Sequence, residues 1–477
     1  MKRELDVLVP EPDAPITASR GTLNSEPNSE PNSEPPARSR ITRMVSPFSN
    51  VARFATRSKM ALALCDQGVL SGANFLTGVA IGRIAGKTEL GLYALCWTIV
   101  AMAFELSSAL ITAPYTVFSP QMEKSETKRY LGSMLVQQAA LSLVVSIIMV
   151  LAMAMAAPRG AHTWVRVVIT TAAVIPFLNL REFVRRVCFA ELNVTMALVI
   201  DAVTAVAQLG GIYFLALTGR LTAVTTYALL GGVSFAVVVG WLFVRRDQLV
   251  FQPEHWMPTL LKNWAFAKWV LASGVLWTMA TYVYPWILTA YNGVGATGVW
   301  AACSAVVALG NPVFGGLGSY ISPKVVHVYA QSGAVAMRRY VYRSSLLLAG
   351  LLLPLICVLL AWGDRVISHL YGASYGHNGT VVTLLAVNLL LTAFTYPYSR
   401  GLFTLHAARA DMFVNMVAIG LLFSVGITAI KLYGLRGAAV ALLLSTGVTA
   451  AIRMAVFVWV ASSGQSVFVA CEAETSE

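Results

Sequence analysis

Charged residues are scarce in this chain of 477 residues, because Asp, Glu, Lys and Arg together make up only 12% of it. Soluble domains carry about 25% charged residues, whereas 57% of this sequence is hydrophobic and its mean hydropathy is +0.69. A chain this apolar is expected to bury its surface in lipid. The composition therefore excludes a soluble enzyme, a disordered protein and a nucleic-acid-binding protein.

Catalytic and metal-binding signatures are also missing. The six cysteines form no CxxC pair, so neither a zinc site nor a disulfide framework is predicted. The sequence contains no Walker A lysine motif, no HExxH motif and no glycine-rich nucleotide fingerprint. We therefore expect no metal, no cofactor and no enzymatic activity, and we expect no ATP-driven transport by this chain.

The first 58 residues are polar and differ from those that follow. They are rich in Pro, Ser, Glu and Arg and contain a threefold NSEP repeat over residues 24–35. Such a segment cannot bury enough apolar area to offset its chain entropy, which predicts a disordered tail. The first long apolar run begins at Met60, after Arg57 and Lys59. This position argues against a cleaved signal peptide and predicts a cytoplasmic tail.

The rest of the chain predicts an all-α polytopic membrane protein. A spanning helix needs about 20 apolar residues, and apolar runs between charged or Gly/Pro-rich breaks give twelve candidate spans. We expect two six-helix bundles, over residues 59–246 and 247–462, and a second cytoplasmic tail over residues 463–477. The spans lie at 61–84, 90–116, 132–157, 164–187, 194–217, 221–244, 269–291, 296–320, 344–362, 378–400, 411–432 and 437–461.

The distribution of basic residues supports this count. With the N-terminus inside, the cytoplasmic loops and the approach to the first span hold 20 Lys and Arg residues, and the outer loops hold 8. Basic residues accumulate in cytoplasmic loops, so topology explains the net charge of +12 without nucleic acid. The asymmetry predicts a multi-pass protein of the cytoplasmic membrane with both termini in the cytoplasm.

The two halves of the membrane region repeat a pattern of glycines and polar residues at nearly constant spacing. Six spans separate the copies, so both halves share one orientation. This predicts a pseudo-two-fold axis along the membrane normal, as in transporters whose bundles rock around a central site. Duplication without transport is the alternative. The matched pairs are Gly86 with Gly293 and Gly91 with Gly298, offset by 207 residues, and Arg186 with Arg400 and Asp201 with Asn415, offset by 214.

Ionisable residues inside a span are costly and are functional candidates by default. Glu105 lies midway along the second span, Asp66 opens the first span, and Asp201 lies about two turns into the fifth. Their functional interpretation is proton coupling or contact with a hydroxylated substrate, and the alternative is an interhelical hydrogen bond or a snorkelling end residue. The further candidates for a substrate or ion pathway are Gln67, Asn74, Trp277 and Arg453.

Three arginines near the end of the fourth span form a separate group of candidates. Arg181, Arg185 and Arg186 follow one another within six residues at a predicted cytoplasmic helix end. Arginines at this depth contact anionic lipid headgroups. Gathering an anionic lipid-linked substrate is the alternative role for them.

Several short motifs resemble those of bacterial polysaccharide transporters. They are DQGVLSGANF at 66–75, the turn from Gly86 to GLY at 91–93, LYG at 370–372 and YGLRGAA at 433–439. The sequence resembles the O-antigen and exopolysaccharide flippase (Wzx-like) branch of the superfamily that also contains multidrug and toxin extrusion antiporters and the lipid II flippase. The resemblance covers about residues 60–462, which is everything except the tails.

The resemblance implies two six-helix bundles around a V-shaped cavity that alternates between inward-open and outward-open states. It also implies an undecaprenyl-diphosphate-linked oligosaccharide as the substrate. We expect a monomer whose partners are the lipid bilayer, the lipid-linked glycan and glycan polymerase or assembly proteins. Two alternatives stay open: a cation-coupled multidrug or small-molecule antiporter, and a non-transporting scaffold of a glycan-assembly complex. Burial of Glu105 and Asp201 counts against the scaffold, which has no need to bear that cost.

The predicted topology can be tested by cysteine labelling. Single cysteines replacing Gly372, in a predicted outer loop, and Arg246, in a predicted inner loop, would be introduced into a cysteine-free background. A membrane-impermeant thiol reagent applied to intact cells should label position 372 and leave position 246 unlabelled until the membrane is permeabilised. Labelling of position 246 from outside would refute the assignment of twelve spans.

Overall fold

The computed structural model describes residues 62–156, 162–405 and 407–462. These residues are almost entirely helical, and none of them lies in a β-strand. In lipid every backbone N–H and C=O group must find a partner within the chain, and a helix provides one locally. The predicted N-terminal tail, residues 1–58, and the predicted C-terminal tail, residues 463–477, lie outside the described residues.

Twelve helices follow one another in this part of the chain. Short turns separate most of them, and in four pairs a single glycine with positive φ separates the two helices: Gly86 at φ 93°, Gly293 at φ 80°, Gly333 at φ 73° and Gly434 at φ 55°. The helices are α1 (Leu62–Ala85), α2 (Lys87–Gln121), α3 (Lys124–Ala156), α4 (His162–Ala190), α5 (Val194–Leu217), α6 (Ala223–Val244), α7 (Trp256–Asn292), α8 (294–332), α9 (334–371), α10 (Gly379–Thr404), α11 (408–433) and α12 (435–462).

Ten continuous helical stretches are long and apolar enough to cross a membrane. The last of them, Arg409–Ser462, is 54 residues long, about 80 Å at 1.5 Å per residue against a hydrocarbon core of about 30 Å. It therefore holds two crossings, α11 and α12, which meet at Gly434. Helix α7 is not among the ten, but its 37 residues are long enough to span. With α7 and the second crossing, the described residues hold twelve helices long enough to span a membrane, the number that the sequence predicts.

The predicted extents of two cytoplasmic loops are wrong, because most of the residues assigned to these loops are helical. Helix α7 begins at Trp256, well before the predicted start at residue 269. Helices α8 and α9 together leave only Gly333 as a break where residues 321–343 were expected to form a loop. Hydropathy marks only the apolar part of a helix, and turns that project into water continue the helix with polar residues. The predicted boundaries therefore underestimate the helices at this end.

The two halves meet through a reciprocal glycine contact. Gly86 and Gly293 have similar backbone conformations, with φ 93° and φ 80°, and stand at the starts of α2 and α8. A Cβ atom on Gly91 would collide with the carbonyl oxygen of Val294, and a Cβ on Gly298 would collide with that of Lys87. Lys87 and Val294 are themselves equivalent at the offset of 207. A two-fold axis produces such a contact, in which each partner repeats the other's role.

Further contacts between the halves lie at the same end of the helices. Arg83 Nη1 donates to the carbonyl oxygen of His369 at 2.8 Å, and the Tyr375 hydroxyl donates to that of Gly82 at 3.1 Å. Among the described residues, all hydrogen bonds made directly between α1–α6 and α8–α12 are at this end. The two halves are therefore closed at one end, which is the predicted outer end.

Helix α7 joins the two halves along its length. Near its start, the Tyr130 hydroxyl of α3 donates to Asn263 Oδ1 at 2.8 Å. Near its other end, Trp286 Nε1 donates to Thr98 Oγ1 of α2 at 2.8 Å. The helix thus stays attached to the N-terminal half at both of its ends.

The reciprocal contact predicts opposite effects for three glycine-to-alanine variants. Gly91→Ala and Gly298→Ala should each lower the melting temperature of the purified protein in detergent, because the added methyl group forces the two backbones apart. Gly295→Ala should keep or raise it, since this helical site has open space around a Cβ and alanine favours a helix by about 1 kcal/mol over glycine. Equal melting temperatures for all three variants would contradict the close approach.

Candidate functional site

A buried arginine joins three helices at the centre of the N-terminal half. Arg185 of α4 donates from Nη2 to Asp66 Oδ2 of α1 at 2.7 Å and from Nε to Asp201 Oδ2 of α5. The side chains of Asp66 and Asp201 are 1% and 0% exposed. The planar guanidinium can bind two carboxylates at once because its N–H groups form a rigid fork. Both predicted aspartates therefore belong to one site.

Glu182 extends this cluster along α4. Its Oε1 accepts from Arg186 Nε at 2.7 Å and lies 3.4 Å from Arg185 Nη1. With Arg181, which is also buried, three arginines stand among three carboxylates. Charges inside a membrane protein are tolerated when they are paired in this way. We call the six residues Asp66, Arg181, Glu182, Arg185, Arg186 and Asp201 the ionic cluster.

The ionic cluster keeps unused hydrogen-bonding capacity. Oδ1 of Asp66, Oδ1 of Asp201 and Nε of Arg181 are buried without a hydrogen-bond partner among the described residues. Buried polar atoms of this kind are uncommon and call for a specific explanation. The two carboxylate oxygens can accept a proton or a hydrogen bond from a polar ligand.

The three arginines proposed as headgroup contacts occupy different environments. Arg181 and Arg185 are buried inside the N-terminal half, and Arg185 binds the carboxylates of Asp66 and Asp201. The side chain of Arg186 is 49% exposed. Of the three, Arg186 is the residue that an external anionic group can reach in this structure.

A polar row follows α1 beyond Asp66. Gln67 Nε2 donates to Ser71 Oγ at 3.3 Å. Gln208 of α5 donates from Nε2 to Thr77 Oγ1 at 2.9 Å and to Asn74 Oδ1 at 3.4 Å. Gln67 and Asn74 are thus engaged in hydrogen bonds. Gln208 was missed by the sequence analysis, although its position seven residues after Asp201 puts both on one face of α5.

A second buried polar network links α2, α3 and α4. The Ser107 hydroxyl donates to Gln138 Oε1 at 2.5 Å. Gln138 Nε2 and Asn179 Nδ2 donate to Ser142 Oγ at 3.3 Å and 3.1 Å. The sequence analysis missed this network because single uncharged polar residues in an apolar run give little signal. It fixes the packing of α3 against its neighbours.

Glu105 differs from the other intramembrane acids. It is half-buried on α2 and faces α7, where a Cβ on Gly274 would collide with Glu105 Oε1. No described side chain forms a hydrogen bond or ion pair with its carboxylate, although the charge of Arg186 acts on it electrostatically. Glu105 is therefore a carboxylate with free hydrogen-bonding capacity at the junction of the two halves.

Two tryptophans of α7 lie on either side of the bend-prone Pro285. Trp277 is 55% exposed and stands one turn beyond Gly274, so it is close in the chain to the Glu105 contact. Trp286 packs edge-on against Trp164 with ring centroids 6.0 Å apart. Trp277 is accordingly the one with a ring surface available to a ligand.

The C-terminal half contains a smaller ionic pair. Arg453 of α12 donates from Nε to Asp411 Oδ1 of α11 at 2.8 Å and from Nη2 to Asn415 Oδ1 at 3.3 Å. Asp411 was missed by the sequence analysis because it stands at the predicted edge of a span. The pair ties α11 to α12, which fits the interhelical alternative for Arg453 rather than snorkelling.

Elsewhere the described residues contain no candidate metal centre, and their cavities include a polar one of about 530 Å³ beside Asp364, Arg365 and Thr380 and a larger groove between two helices. No group of three or more His, Cys, Asp or Glu side chains there is placed to hold a metal ion. A groove of about 590 Å³ runs between α5 and α6, and Met196, Val203, Gly232 and Val244 are among its lining residues. This groove is apolar and offers a polar ligand few hydrogen-bonding groups.

Removing the central guanidinium should be strongly destabilising. Arg185→Met leaves two buried carboxylates unpaired, which costs about 3–5 kcal/mol in comparable sites. Arg186→Met, the matched control, should cost less than about 1 kcal/mol because that side chain is half exposed. Adding Asp66→Asn and Asp201→Asn to Arg185→Met should recover much of the loss. Denaturant unfolding of the purified proteins measures these effects, and equal stability of the two single variants would contradict the pairing.

By sequence, no family profile and no curated protein matches this chain. By structure, it is similar to a multidrug resistance MATE family transporter of the MOP superfamily. The inward-facing conformation of that transporter aligns with a TM-score of 0.66 and 14% identity over 81% of this chain and 93% of the other. An outward-facing conformation aligns with a TM-score of 0.58 and 13% identity over 84% and 93%.

A second similar structure is a MOP superfamily transporter from Pyrococcus furiosus Vc1, for which a binding pocket of reverse polarity is taken to suggest a different function. It aligns with a TM-score of 0.62 and 13% identity over 84% of this chain and 93% of that one. At such low identities the likeness concerns the fold. The chain is an all-helical, multi-pass membrane protein with the fold of the MATE transporters of the MOP superfamily.

Proposed function

We propose that the protein is a secondary transporter that flips a lipid-linked oligosaccharide or polysaccharide precursor across the cytoplasmic membrane by alternating access. The observation that carries the proposal is that, among the described residues, the hydrogen bonds made directly between α1–α6 and α8–α12 all lie at one end. Arg83, Gly91 and Tyr375 contact the opposite half there. Two bundles joined at one end can separate there and close at the other, which is the motion that alternating access requires.

The fold supports the same motion. Solved structures of this fold include inward-facing and outward-facing conformations of one kind of transporter. The closed end of this chain is the outer end in the topology that the basic residues predict. With that orientation, the structure corresponds to an inward-facing state, with both termini in the cytoplasm.

A lipid-linked glycan accounts for the polar groups better than a small hydrophobic drug does. A diphosphate needs cationic contacts, which the exposed Arg186 can supply. A sugar needs hydrogen-bonding groups and an aromatic surface, and Trp277 has an exposed ring. The motifs shared with polysaccharide transporters favour the same substrate class.

The principal alternative is a cation-coupled multidrug or small-molecule antiporter. The similar structures include multidrug resistance transporters, and the carboxylates of Asp66, Asp201 and Glu105 are groups that bind protons or cations. Reconstituted protein distinguishes the two: a flippase exposes a fluorescent lipid-linked oligosaccharide to the opposite leaflet, whereas an antiporter accumulates a cationic dye. Accumulation of the dye without flipping of the lipid-linked oligosaccharide would refute our proposal and support the antiporter.

We further propose that Glu105 couples transport to the proton gradient. The aspartates of the ionic cluster are paired with Arg185, whose positive charge balances theirs. Glu105 has no such partner among the described residues and lies where α2 meets α7. Its proton can therefore be gained and lost as the halves move.

Glu105→Gln should leave the protein folded in the membrane, because the amide keeps the size and hydrogen bonding of the side chain. Flipping per inserted molecule should fall strongly and lose its dependence on the proton gradient, and Glu105→Asp should keep part of the activity. Flipping is measured in proteoliposomes with and without an imposed gradient.

Glu89→Gln on the same helix is the matched control. Glu89 Oε2 accepts from the backbone N–H of Ala223 at 2.7 Å, at the start of α6, and a glutamine oxygen can replace it. This variant should respond to the gradient as the wild type does. Wild-type flipping by Glu105→Gln would end the coupling proposal.

A further inference from the structure

Arg400 of α10 is the repeat counterpart of Arg186 of α4. Each arginine stands four residues before the end of its helix, at Thr404 and Ala190. The guanidinium carbon of Arg400 lies 4.8 Å from the ring centroid of Tyr396 and 5.5 Å from that of Phe403. The sequence analysis noted the equivalence of the two arginines and assigned no role to Arg400.

The two arginines differ in how their charge is balanced. Arg186 is held by Glu182, whereas Arg400 forms no ion pair with any residue that the structure describes. The Nε atom of Arg400 is buried and has no hydrogen-bond partner among those residues. An unneutralised guanidinium near the end of a membrane helix carries a desolvation cost that an anionic ligand would offset.

The aromatic rings hold Arg400 in place. Tyr396 packs against Phe314 of α8 with ring centroids 4.8 Å apart, and its hydroxyl is 3.3 Å from Ser322 Oγ. A guanidinium stacked on fixed rings loses little freedom when it binds, and its planar fork matches two phosphate oxygens. Arg400 is therefore preorganised to bind an anion.

We infer that Arg400 binds a phosphate or diphosphate group on the C-terminal half, as the counterpart of Arg186 on the N-terminal half. That this group is carried by a lipid rests on the proposed function. The ligand chemistry alone is shared by free phosphates, so the two sources must be separated by experiment.

The test uses the full chain in detergent and measures binding through tryptophan fluorescence. The probes are farnesyl diphosphate, inorganic pyrophosphate for the head alone, and farnesol for the tail alone. Arg400→Gln should lower the affinity for farnesyl diphosphate about tenfold, which corresponds to a loss of about 1.4 kcal/mol of binding free energy. The affinity for farnesol should not change. Arg343→Gln, which removes the same charge from an exposed site on α9, should bind as the wild type does.

Several results would overturn the inference: wild-type affinity in Arg400→Gln, equal weakening in Arg343→Gln, or no binding of either diphosphate by the wild type. If Arg400→Gln does not fold, Arg400→Lys is used in its place, because lysine keeps the positive charge but lacks the paired N–H donors of the guanidinium. An affinity of Arg400→Lys for farnesyl diphosphate several-fold lower than that of the wild type supports the site, and an unchanged affinity refutes it. Tighter binding of farnesyl diphosphate than of pyrophosphate supports a lipid source, and the reverse order supports a free phosphate at the same site.

Flipping of lipid-linked oligosaccharide is measured separately on the same preparations. Binding through Arg400 without any flipping would support the anion site and overturn the proposed function. Flipping with wild-type diphosphate affinity in Arg400→Gln would overturn the site and leave the function standing.

Discussion

The guanidinium of Arg185 determines the packing of the N-terminal half. It binds Asp66 of α1 and Asp201 of α5 from α4, so three helices must present particular faces to one another. Lipid offers these charges no alternative partner, and rotating any of the three helices would leave a charge unpaired at a cost of several kcal/mol. The polar row from Gln67 to Thr77 then follows, because the same face of α1 is turned toward α5.

The C-terminal half lacks the pairing of Asp66, Arg185 and Asp201, and Arg186 alone among the members of the ionic cluster has a charged counterpart there, Arg400. At the repeat offsets the positions equivalent to Asp66, Arg185 and Asp201 are occupied by uncharged residues, so the charges of this pairing are lost together. A different pair, Arg453 with Asp411, joins two other helices of that half. The equivalent positions are Asp66 with Ser273, Arg185 with Ser399 and Asp201 with Asn415.

This difference makes the two halves unequal in charge, although the sequence repeat relates them. The N-terminal half holds a balanced cluster and the unpaired carboxylate of Glu105 beside it. The C-terminal half holds Arg400, which no described carboxylate neutralises. In a transporter of this design, proton coupling would act mainly on one half and recognition of an anionic group on the other, so that the rocking motion connects the two.

The sequence by itself determined the helical fold, the number of spans and the repeat. These follow from local properties: the length of each apolar run, and glycines at fixed positions such as Gly91 and Gly298. It also located the costly residues Asp66, Glu105 and Asp201, because an acid in an apolar run is visible without any structure. What it could not determine was the partner of each residue. The sequence predicted that Arg181 and Arg185 contact lipid headgroups, whereas both side chains are buried inside the bundle.

Only the tertiary structure decided which face of each helix meets protein and which meets lipid. In a helix of a soluble protein, the stripe of apolar residues marks the buried face. In a membrane the protein interior and the lipid are both apolar, so the sequence of a helix shows no such stripe. The pairing of Gln208 with Thr77, the freedom of Glu105 and the stacking of Arg400 on Tyr396 all depend on helix rotation. Rotation is set by contacts between segments far apart in the chain, so no local pattern could have revealed it.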